Sequence, residues 1–115
     1  YTKNKEKLVC VLCYIDGEFV VDNNVKEIGE SSFYGQYNLT KVIIPNSVEK
    51  IENTFQFCSG LTEIEIPNSV KEIGVTAFTG SNNLTKIIIH NKKDSISGAP
   101  WGAVTGARAV IWEEN

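Results

Sequence analysis

The chain has 115 residues and a formal net charge of −3, with 42% hydrophobic and 22% charged residues. This length suits one domain with its own core, and the composition is that of an ordinary globular chain. The slightly acidic balance lacks the clustered basic residues of a nucleic-acid-binding protein, so no nucleic-acid partner is expected. No apolar run is long enough to span a bilayer, so no membrane insertion is expected from this segment.

We expect any targeting signal to have been removed from this chain. The chain begins at Tyr1 with neither an initiator methionine nor the apolar segment of a signal peptide, which favours a processed protein or a segment of a longer one. The three cysteines are Cys10, Cys13 and Cys58. An odd and low number does not indicate a disulfide framework, and it leaves the redox compartment open.

The first predicted element is a β-hairpin. An apolar strand over residues 8–15 is followed by Asp16-Gly17 and then by a second strand over residues 18–21. A two-residue Asp-Gly link between two apolar runs is a strong hairpin signal, because this dipeptide suits a type I′ turn. We expect the hairpin to cap the N-terminal edge of the structure, since an uncovered edge strand invites aggregation.

From residue 28 onward the chain repeats one pattern at intervals of 22 and 23 residues. Each copy has an isoleucine, then a phenylalanine, then Leu-Thr and an alternating apolar stretch that ends in a turn. The leucines of the three clear copies are Leu39, Leu61 and Leu84. A fixed period of this size is the signature of a solenoid, whose coils bury their apolar faces only against one another.

Each coil is predicted to have three buried sides. Period-two alternation indicates a short strand on the first side, and its buried residues are Leu39, Val42, Ile44, Leu61, Ile64, Ile66, Leu84, Ile87 and Ile89. A second apolar contact is expected on the return side, at Ile28, Ile51, Ile73 and Ile96. The third side is filled by Phe33, Phe55 and Phe78, which we expect on a short helical segment such as residues 30–35.

Less regular copies extend the pattern at both ends. Upstream, residues 19–25 match the strand and its turn, and downstream Trp101 takes the aromatic position before a final strand over residues 110–112. The sequence therefore predicts an α/β solenoid of about five coils around a parallel sheet. We expect one domain over residues 1–115, with a cap strand at 1–17, repeats at 18–112 and a tail at 113–115.

The repeat motif has two parts, Ile-Gly-x-x-x-Phe and, a few residues later, Leu-Thr-x-Ile-x-Ile-Pro-Asn-Ser-Val-x-x-Ile. Over about residues 17–112 it resembles the BspA-like (Treponema pallidum type) leucine-rich repeat family. The resemblance implies a right-handed leucine-rich solenoid and an exported or cell-surface protein that binds host or neighbouring-cell proteins. Cys58 lies where this family often has a cysteine, whereas Gln36 and Ser81 replace it in the other copies.

The side chains that point away from the core form two rows on the predicted sheet. The first row is charged with alternating sign, and it consists of Glu18, Lys41, Glu63 and Lys86, followed by Ala109. The second is mostly apolar, and it consists of Val20, Ile43, Glu65, Ile88 and Ile111. A row of exposed apolar side chains marks an interaction site, although β-branched residues suit any strand and a self-neutralised charged row is often plain solvated surface.

The partner-binding surface predicted from these rows is the sheet face. Its residues are Val20, Lys41, Ile43, Glu63, Glu65, Lys86, Ile88 and Ile111. The partner is another protein or a second copy of the chain, since the face combines apolar and charged side chains without an enclosed cavity.

Neither catalysis nor metal binding is predicted. His90 is the only histidine and lies at the turn position that proline occupies in two other copies. A general base there would need a carboxylate such as Asp94 beside it in a pocket. Cys10 and Cys13 are three apart on a predicted strand, which points their thiols to opposite faces, and structural zinc needs four ligands. No enzyme activity, cofactor or metal is expected.

Three functions agree with these features. These sequence features and the family resemblance together favour the first function, a non-catalytic protein-interaction module that is exported or at the cell surface and has a role in adhesion. The first alternative is a structural or oligomerising spacer of a longer chain. The second is a carbohydrate-binding module, with Tyr34, Tyr37 and Trp101 as the loop aromatic residues able to stack on sugars.

Overall fold

The structure is a computed structural model, and it describes residues 7–8, 15–93, 95–103 and 110–113. These residues contain nine β-strands, and every strand pairing is parallel. In chain order the strands are β1 (Lys7–Leu8), β2 (Gly17–Val20), β3 (Glu27–Ile28), β4 (Leu39–Ile43), β5 (Lys50–Ile51), β6 (Glu63–Ile66), β7 (Glu72–Ile73), β8 (Lys86–Ile89) and β9 (Val110–Trp112).

The return side of the coils is one continuous sheet. The two-residue strands β1, β3, β5 and β7 pair in that order, and we name them the return sheet. Ile51 of β5 lies between Ile28 and Ile73, and all three side chains are buried. The predicted second apolar contact is therefore confirmed, although Ile96, which is also buried, lies outside the strands.

The longer strands β2, β4, β6, β8 and β9 lie on the other side of the coils, and we name them the front strands. In β6 the side chains alternate, with Glu63 and Glu65 exposed and Ile64 and Ile66 buried. All nine core residues predicted for the front side are buried. Each such side chain contributes roughly 1.5–3 kcal/mol of transfer free energy when fully buried.

The front strands form two sheets rather than one. β2 pairs with β4, and β6 pairs with β8 and then β9, but no ladder joins β4 to β6. The single parallel sheet predicted from the repeats is therefore wrong at this boundary. The five predicted front strands are all present, including the final strand at Val110–Trp112.

An aromatic column runs through the core along the third side of the coils, and its two end members, Phe19 and Trp112, come from the front strands β2 and β9. Its neighbouring ring centroids are 5.3 Å apart for Phe19–Phe33, 5.0 Å for Phe33–Phe55, 5.8 Å for Phe55–Phe78, 6.3 Å for Phe78–Trp101 and 6.1 Å for Trp101–Trp112. Aromatic pairs at such distances contribute about 0.5–1.5 kcal/mol each beyond their area burial. Trp101 occupies the aromatic position predicted for it.

The helical segment expected over residues 30–35 is absent, and those residues form successive turns. Ser31 has a φ of 60°, which a right-handed helix does not allow. Its amide donates to the Asn53 carbonyl at 2.8 Å, and the Gly35 amide donates to the Gln56 carbonyl at 2.9 Å. These backbone groups on the third side thus bond to the next coil. The described residues contain no helix, so the α/β class is not confirmed.

The turn after each front strand repeats from coil to coil. The Val48 amide donates to the Pro45 carbonyl at 3.2 Å, and Val70 and Pro67 repeat this bond at the same distance. Proline has no amide hydrogen to donate to a strand ladder, so it ends the strand where the turn begins. The turn role predicted for these residues is confirmed.

The solenoid makes about four turns, not five. One turn is the stretch of chain from one front strand to the next, so the five front strands enclose four turns. The expected handedness of the solenoid stays a prediction.

The predicted N-terminal hairpin is not present in the described residues. Gly17, expected in its two-residue turn, belongs to β2 and pairs with Leu39, and Leu8 pairs in parallel with Ile28 in the return sheet. The Ile15 amide instead donates to Gln36 Oε1 at 2.9 Å. The rest of the expected first hairpin strand, residues 9–14, lies outside the described residues.

Candidate functional site on the front face

We name the solvent side of the front strands the front face. Its charged row is paired only in part. Strand register places Glu18 beside Lys41 and Glu63 beside Lys86. Lys86 Nζ lies 3.9 Å from Glu63 Oε1, whereas among the described residues no ion pair joins Lys41 to Glu18 or to Glu63. The charge on Lys41 is therefore available to a partner.

The apolar row of the front face is split by the boundary between β4 and β6. Val20 lies beside Ile43, and these side chains are 60% and 37% exposed. On the other sheet Glu65, Ile88 and Ile111 lie in register, with both isoleucines only half-buried. The most exposed apolar pair of this row is therefore Val20 and Ile43.

A groove of about 410 Å³ lies between β4 and β6, and we name it the β4–β6 groove. Lys41 and Ile43 line it from β4, and Glu63 and Glu65 line it from the β6 side. Half of the eight residues predicted for the partner-binding surface thus line one depression, whose size is within the range of ligand-binding clefts.

The β4 wall of the groove presents backbone groups that a continuous sheet would use for pairing. Successive residues of a parallel strand direct their peptide groups to alternate sides. The Ile43 carbonyl accepts a hydrogen bond from the Val21 amide at 3.0 Å, so its peptide group faces β2. The peptide groups of the neighbouring residues Val42 and Ile44 consequently face the β4–β6 groove.

The β6 wall follows the same rule. The Ile66 carbonyl accepts a hydrogen bond from the His90 amide at 3.0 Å, so the peptide group of Ile66 faces β8. Alternation along β6 then directs the peptide groups of Glu63 and Glu65 toward the groove. Both walls therefore present unladdered strand edges to the same space.

The boundary coincides with the shorter repeat. Paired front residues are 23 apart in sequence, as with Glu63 and Lys86, whereas the equivalent residues Lys41 and Glu63 are 22 apart. At the start of the shorter repeat's strand, a Cβ on Gly60 would lie 2.5 Å from the Tyr37 carbonyl oxygen. The two coils thus approach closely at Gly60, just before the two front strands that lack a ladder. The 22-residue spacing marks this boundary in the sequence.

His90 lies just past β8 between two carboxylates. Its Nε2 is 3.5 Å from Glu65 Oε1, and its Nδ1 is 3.9 Å from Glu113 Oε1. This position agrees with the turn role predicted for His90, and it connects the ends of β6, β8 and β9. Asp94, considered as a possible partner in the sequence, lies outside the described residues.

Cys58 is a structural thiol. Its side chain is fully buried, and Sγ donates to the Phe33 carbonyl at 3.1 Å. Burial raises the pKa of the thiol to about 11. Ser81 repeats the arrangement one coil later, since its hydroxyl donates to the Phe55 carbonyl. Cys10 and Cys13 lie outside the described residues.

The loop aromatic residues differ from the sequence prediction. Trp101 is fully buried and cannot stack on a ligand, whereas Tyr34 is 55% exposed. Phe57, which the prediction missed, is 46% exposed, and its ring lies edge-on to Tyr34 with centroids 5.4 Å apart. The sequence does carry a signal, because Phe57 takes the position that Gly35 and Gly80 occupy in the neighbouring repeats. In the structure Phe57 has a φ of 58°.

The described ranges contain no cluster of three or more histidine, cysteine, aspartate or glutamate side chains that could hold a metal ion. Within the same ranges, no helix is long and apolar enough to cross a membrane.

The repeats place the chain in a known family. A family model described as BspA type leucine rich repeat region (6 copies) matches residues 13–100. The chain therefore belongs to the BspA-type leucine-rich repeat family, as the resemblance in its sequence indicated. Comparison with curated proteins and with solved structures gave no match. Domains of this type are commonly protein-interaction modules and are typically non-catalytic, and the family is associated with surface or extracellular proteins.

Proposed function

We propose that this chain is a non-catalytic module that binds another protein through its front face. The observation that carries the proposal is the exposed pair Val20 and Ile43, flanked by Lys41, whose charge is not neutralised by Glu18 or Glu63. Apolar side chains with a charged rim are the usual composition of a protein-binding surface. Because the solenoid core is formed by the opposite side chains of the same strands, the front residues are free to serve a partner.

The proposal includes the location of the protein. We infer an exported or cell-surface protein with a role in adhesion to host or neighbouring-cell proteins. The support is membership of a family that is associated with surface or extracellular proteins.

The test is binding to an array of purified extracellular-matrix and cell-surface proteins. Val20→Lys and Ile43→Lys should abolish binding to at least one arrayed protein while leaving the fold intact, as judged by thermal unfolding. The matched control is Val75→Lys, at an apolar side chain that is 66% exposed and outside the front strands. The proposal is wrong if no arrayed protein binds, or if the front and control variants behave alike.

The alternative is a structural or oligomerising spacer that uses the same apolar pair. Sedimentation velocity separates the two, because a spacer that self-associates should sediment as an oligomer that Ile43→Lys dissociates. We expect the unsubstituted chain to remain monomeric. A carbohydrate-binding module is less well supported, since Trp101 is buried and the exposed loop aromatic residues in the described part of the chain are Tyr34, Tyr37 and Phe57.

A further inference from the structure

We propose that the third side of the solenoid binds a linear, neutral oligosaccharide through the exposed rings of Tyr34, Tyr37 and Phe57. The segments of this side lead into β4, β6, β8 and β9, and they are residues 31–38, 53–60, 75–83 and 97–103. The site is separate from the front face. It goes beyond the proposed protein-binding function and does not depend on it.

The third side is uncharged over all four segments. None of them contains an acidic or basic residue, although 22% of the residues in the whole chain are charged. Serine, threonine, asparagine and glycine fill most of their exposed positions. Tyrosine combined with serine, glycine and asparagine is also the composition of antibody binding loops, in which aromatic rings supply contact area and small polar groups supply hydrogen bonds. The composition therefore indicates a binding surface.

The exposed aromatic rings of the described residues all lie on this side, and they belong to Tyr34, Tyr37 and Phe57. Tyr34 and Phe57 come from adjacent coils, and their ring centroids are 5.4 Å apart. Trp101 is buried and takes no part. An aromatic ring offers an apolar face to the C–H groups of a sugar, and the tyrosine hydroxyl adds a polar end. The pair thus forms an aromatic surface that spans two coils.

The backbone of Phe57 is strained, and its ring lies outside the core. Gly35 and Gly80 occupy the same position in the neighbouring repeats, and Phe57 shares their positive φ. This region is unfavourable for a residue with a side chain, and such strain is typical of functional sites. A Cβ on Gly80 would overlap the Phe57 ring, so the exposed ring lies over the next coil. The strain is therefore borne for a ring at the surface.

The absence of charge determines the kind of ligand. A charged group that loses its water against these segments finds no countercharge on them, and burial of an unpaired charge is strongly unfavourable. The hydroxyl groups of a neutral sugar instead find amide and hydroxyl partners, such as the exposed Asn38, Ser59 and Asn82. Sulfated glycans and charged protein surfaces are thus excluded.

The repeat spacing favours a linear ligand that runs along the stack. Tyr37, Ser59 and Asn82 occupy equivalent positions in successive repeats, so each coil contributes one of them. Neighbouring coils are about 4.8 Å apart, which is close to the length of one sugar unit. A linear oligosaccharide therefore meets one coil with each unit.

The probes are the linear neutral hexasaccharides of glucose, mannose and N-acetylglucosamine, each titrated into the isotopically labelled chain and followed by amide NMR. We expect at least one of them to shift the amides of Tyr34, Tyr37 and Phe57, while the amide of Ile43 on the front face does not move. A heparin hexasaccharide should cause no shifts on the third side. The inference is overturned if no neutral probe binds at about 10 mM, or if only the heparin hexasaccharide binds.

Two substitutions remove the rings. Phe57→Gly restores the glycine of the neighbouring repeats, so the ring is lost without a demand on the backbone. It should weaken binding of the hexasaccharide by about tenfold, and Tyr34→Ala should act in the same direction. The matched control is Ser31→Gly, at another exposed residue of this side with a positive φ, and it should leave binding unchanged. Equal effects of Phe57→Gly and Ser31→Gly would overturn the inference.

The outcomes separate this inference from the proposed function. Phe57→Gly should leave binding to the arrayed proteins unchanged, and Ile43→Lys should leave hexasaccharide binding unchanged. If Phe57→Gly instead abolishes protein binding, the third side is part of the protein-binding surface, and the separate saccharide site is wrong. If no arrayed protein binds, the proposed function fails, and the hexasaccharide titrations still decide this inference.

Discussion

The return sheet and the front face are formed by the same coils, yet one is continuous and the other is divided. On the return side, two-residue strands pair across every described coil, and ion pairs around Lys50 follow the same column. On the front side, longer strands pair everywhere except between β4 and β6. The difference indicates that the return sheet and the aromatic column hold the stack together, while the front side tolerates an opening.

The stack can tolerate the divided front side for a simple physical reason. Each coil contributes backbone pairing on two sides and an aromatic ring on the third, and a one-dimensional stack needs every interface between neighbours to be stable. At the β4–β6 boundary the return pairing of Lys50 with Glu72 and the stacking of Phe33 on Phe55 are retained. The interface therefore persists although its front ladder is missing.

The largest effect is expected from the aromatic column. Phe33 is fully buried, and its ring lies 5.3 Å from Phe19 and 5.0 Å from Phe55. Phe33→Ala leaves a cavity in the stack and should lower the free energy of unfolding by about 3–5 kcal/mol. Urea denaturation measures this loss, and the adjacent exposed Tyr34→Ala is the control, with a loss of at most about 1.5 kcal/mol because it removes the exposed ring pair with Phe57. Equal losses in the two variants would show that the column does not hold the coils.

A smaller effect is expected where the two coils touch below the groove. Gly60→Ala places a methyl group 2.5 Å from the Tyr37 carbonyl oxygen, and overcrowding of this kind costs about 1–3 kcal/mol. The measurement is again urea denaturation, with the neighbouring exposed Ser59→Ala as the control. If Gly60→Ala proved as stable as the unsubstituted chain, the close approach of the two coils would not be real.

The smallest of the three effects depends on pH. Burial raises the pKa of Cys58 from 9.0 to about 11 in the folded chain, so the unfolded chain loses this proton first. The contribution of the thiol is fully present below pH 9 and is lost as the pH rises toward 11. Between pH 8 and pH 10 the loss should be about 1 kcal/mol.

The control for this pH effect is Cys58→Ser, because serine keeps the hydrogen bond to the Phe33 carbonyl, as Ser81 does to Phe55. Both chains also carry Cys10→Ser and Cys13→Ser, so that a single thiol titrates. The two stability curves should separate above pH 9. Parallel curves up to pH 10 would contradict the burial of Cys58.

The periodic part of the fold could be predicted from the sequence. Each core position occurs several times, so the inward side of Leu39, Ile64 or Ile87 is identified by its equivalents as well as by its own neighbours. The family and the turn residues follow from the same repetition.

Features that depend on a single copy were predicted poorly. The positive φ of Ser31 excludes the expected helix, and Gly17 enters β2 instead of a hairpin turn. The boundary between β4 and β6 coincides with a spacing of 22 rather than 23 residues, but β5 and β7 pair across the same spacing, so the missing ladder does not follow from the spacing alone. Of the eight predicted site residues, four line the groove, and the 22-residue spacing is the sequence feature that coincides with its position.

Amide hydrogen exchange by NMR tests the divided front side most directly. We expect the amides of Val42, Ile44, Glu63 and Glu65, which face the groove, to exchange about a hundredfold faster than those of Ile64 and Ile66, which face β8. Equal protection of these two groups would mean that a ladder closes the front side from β2 to β9. That result would contradict both the divided sheet and the groove.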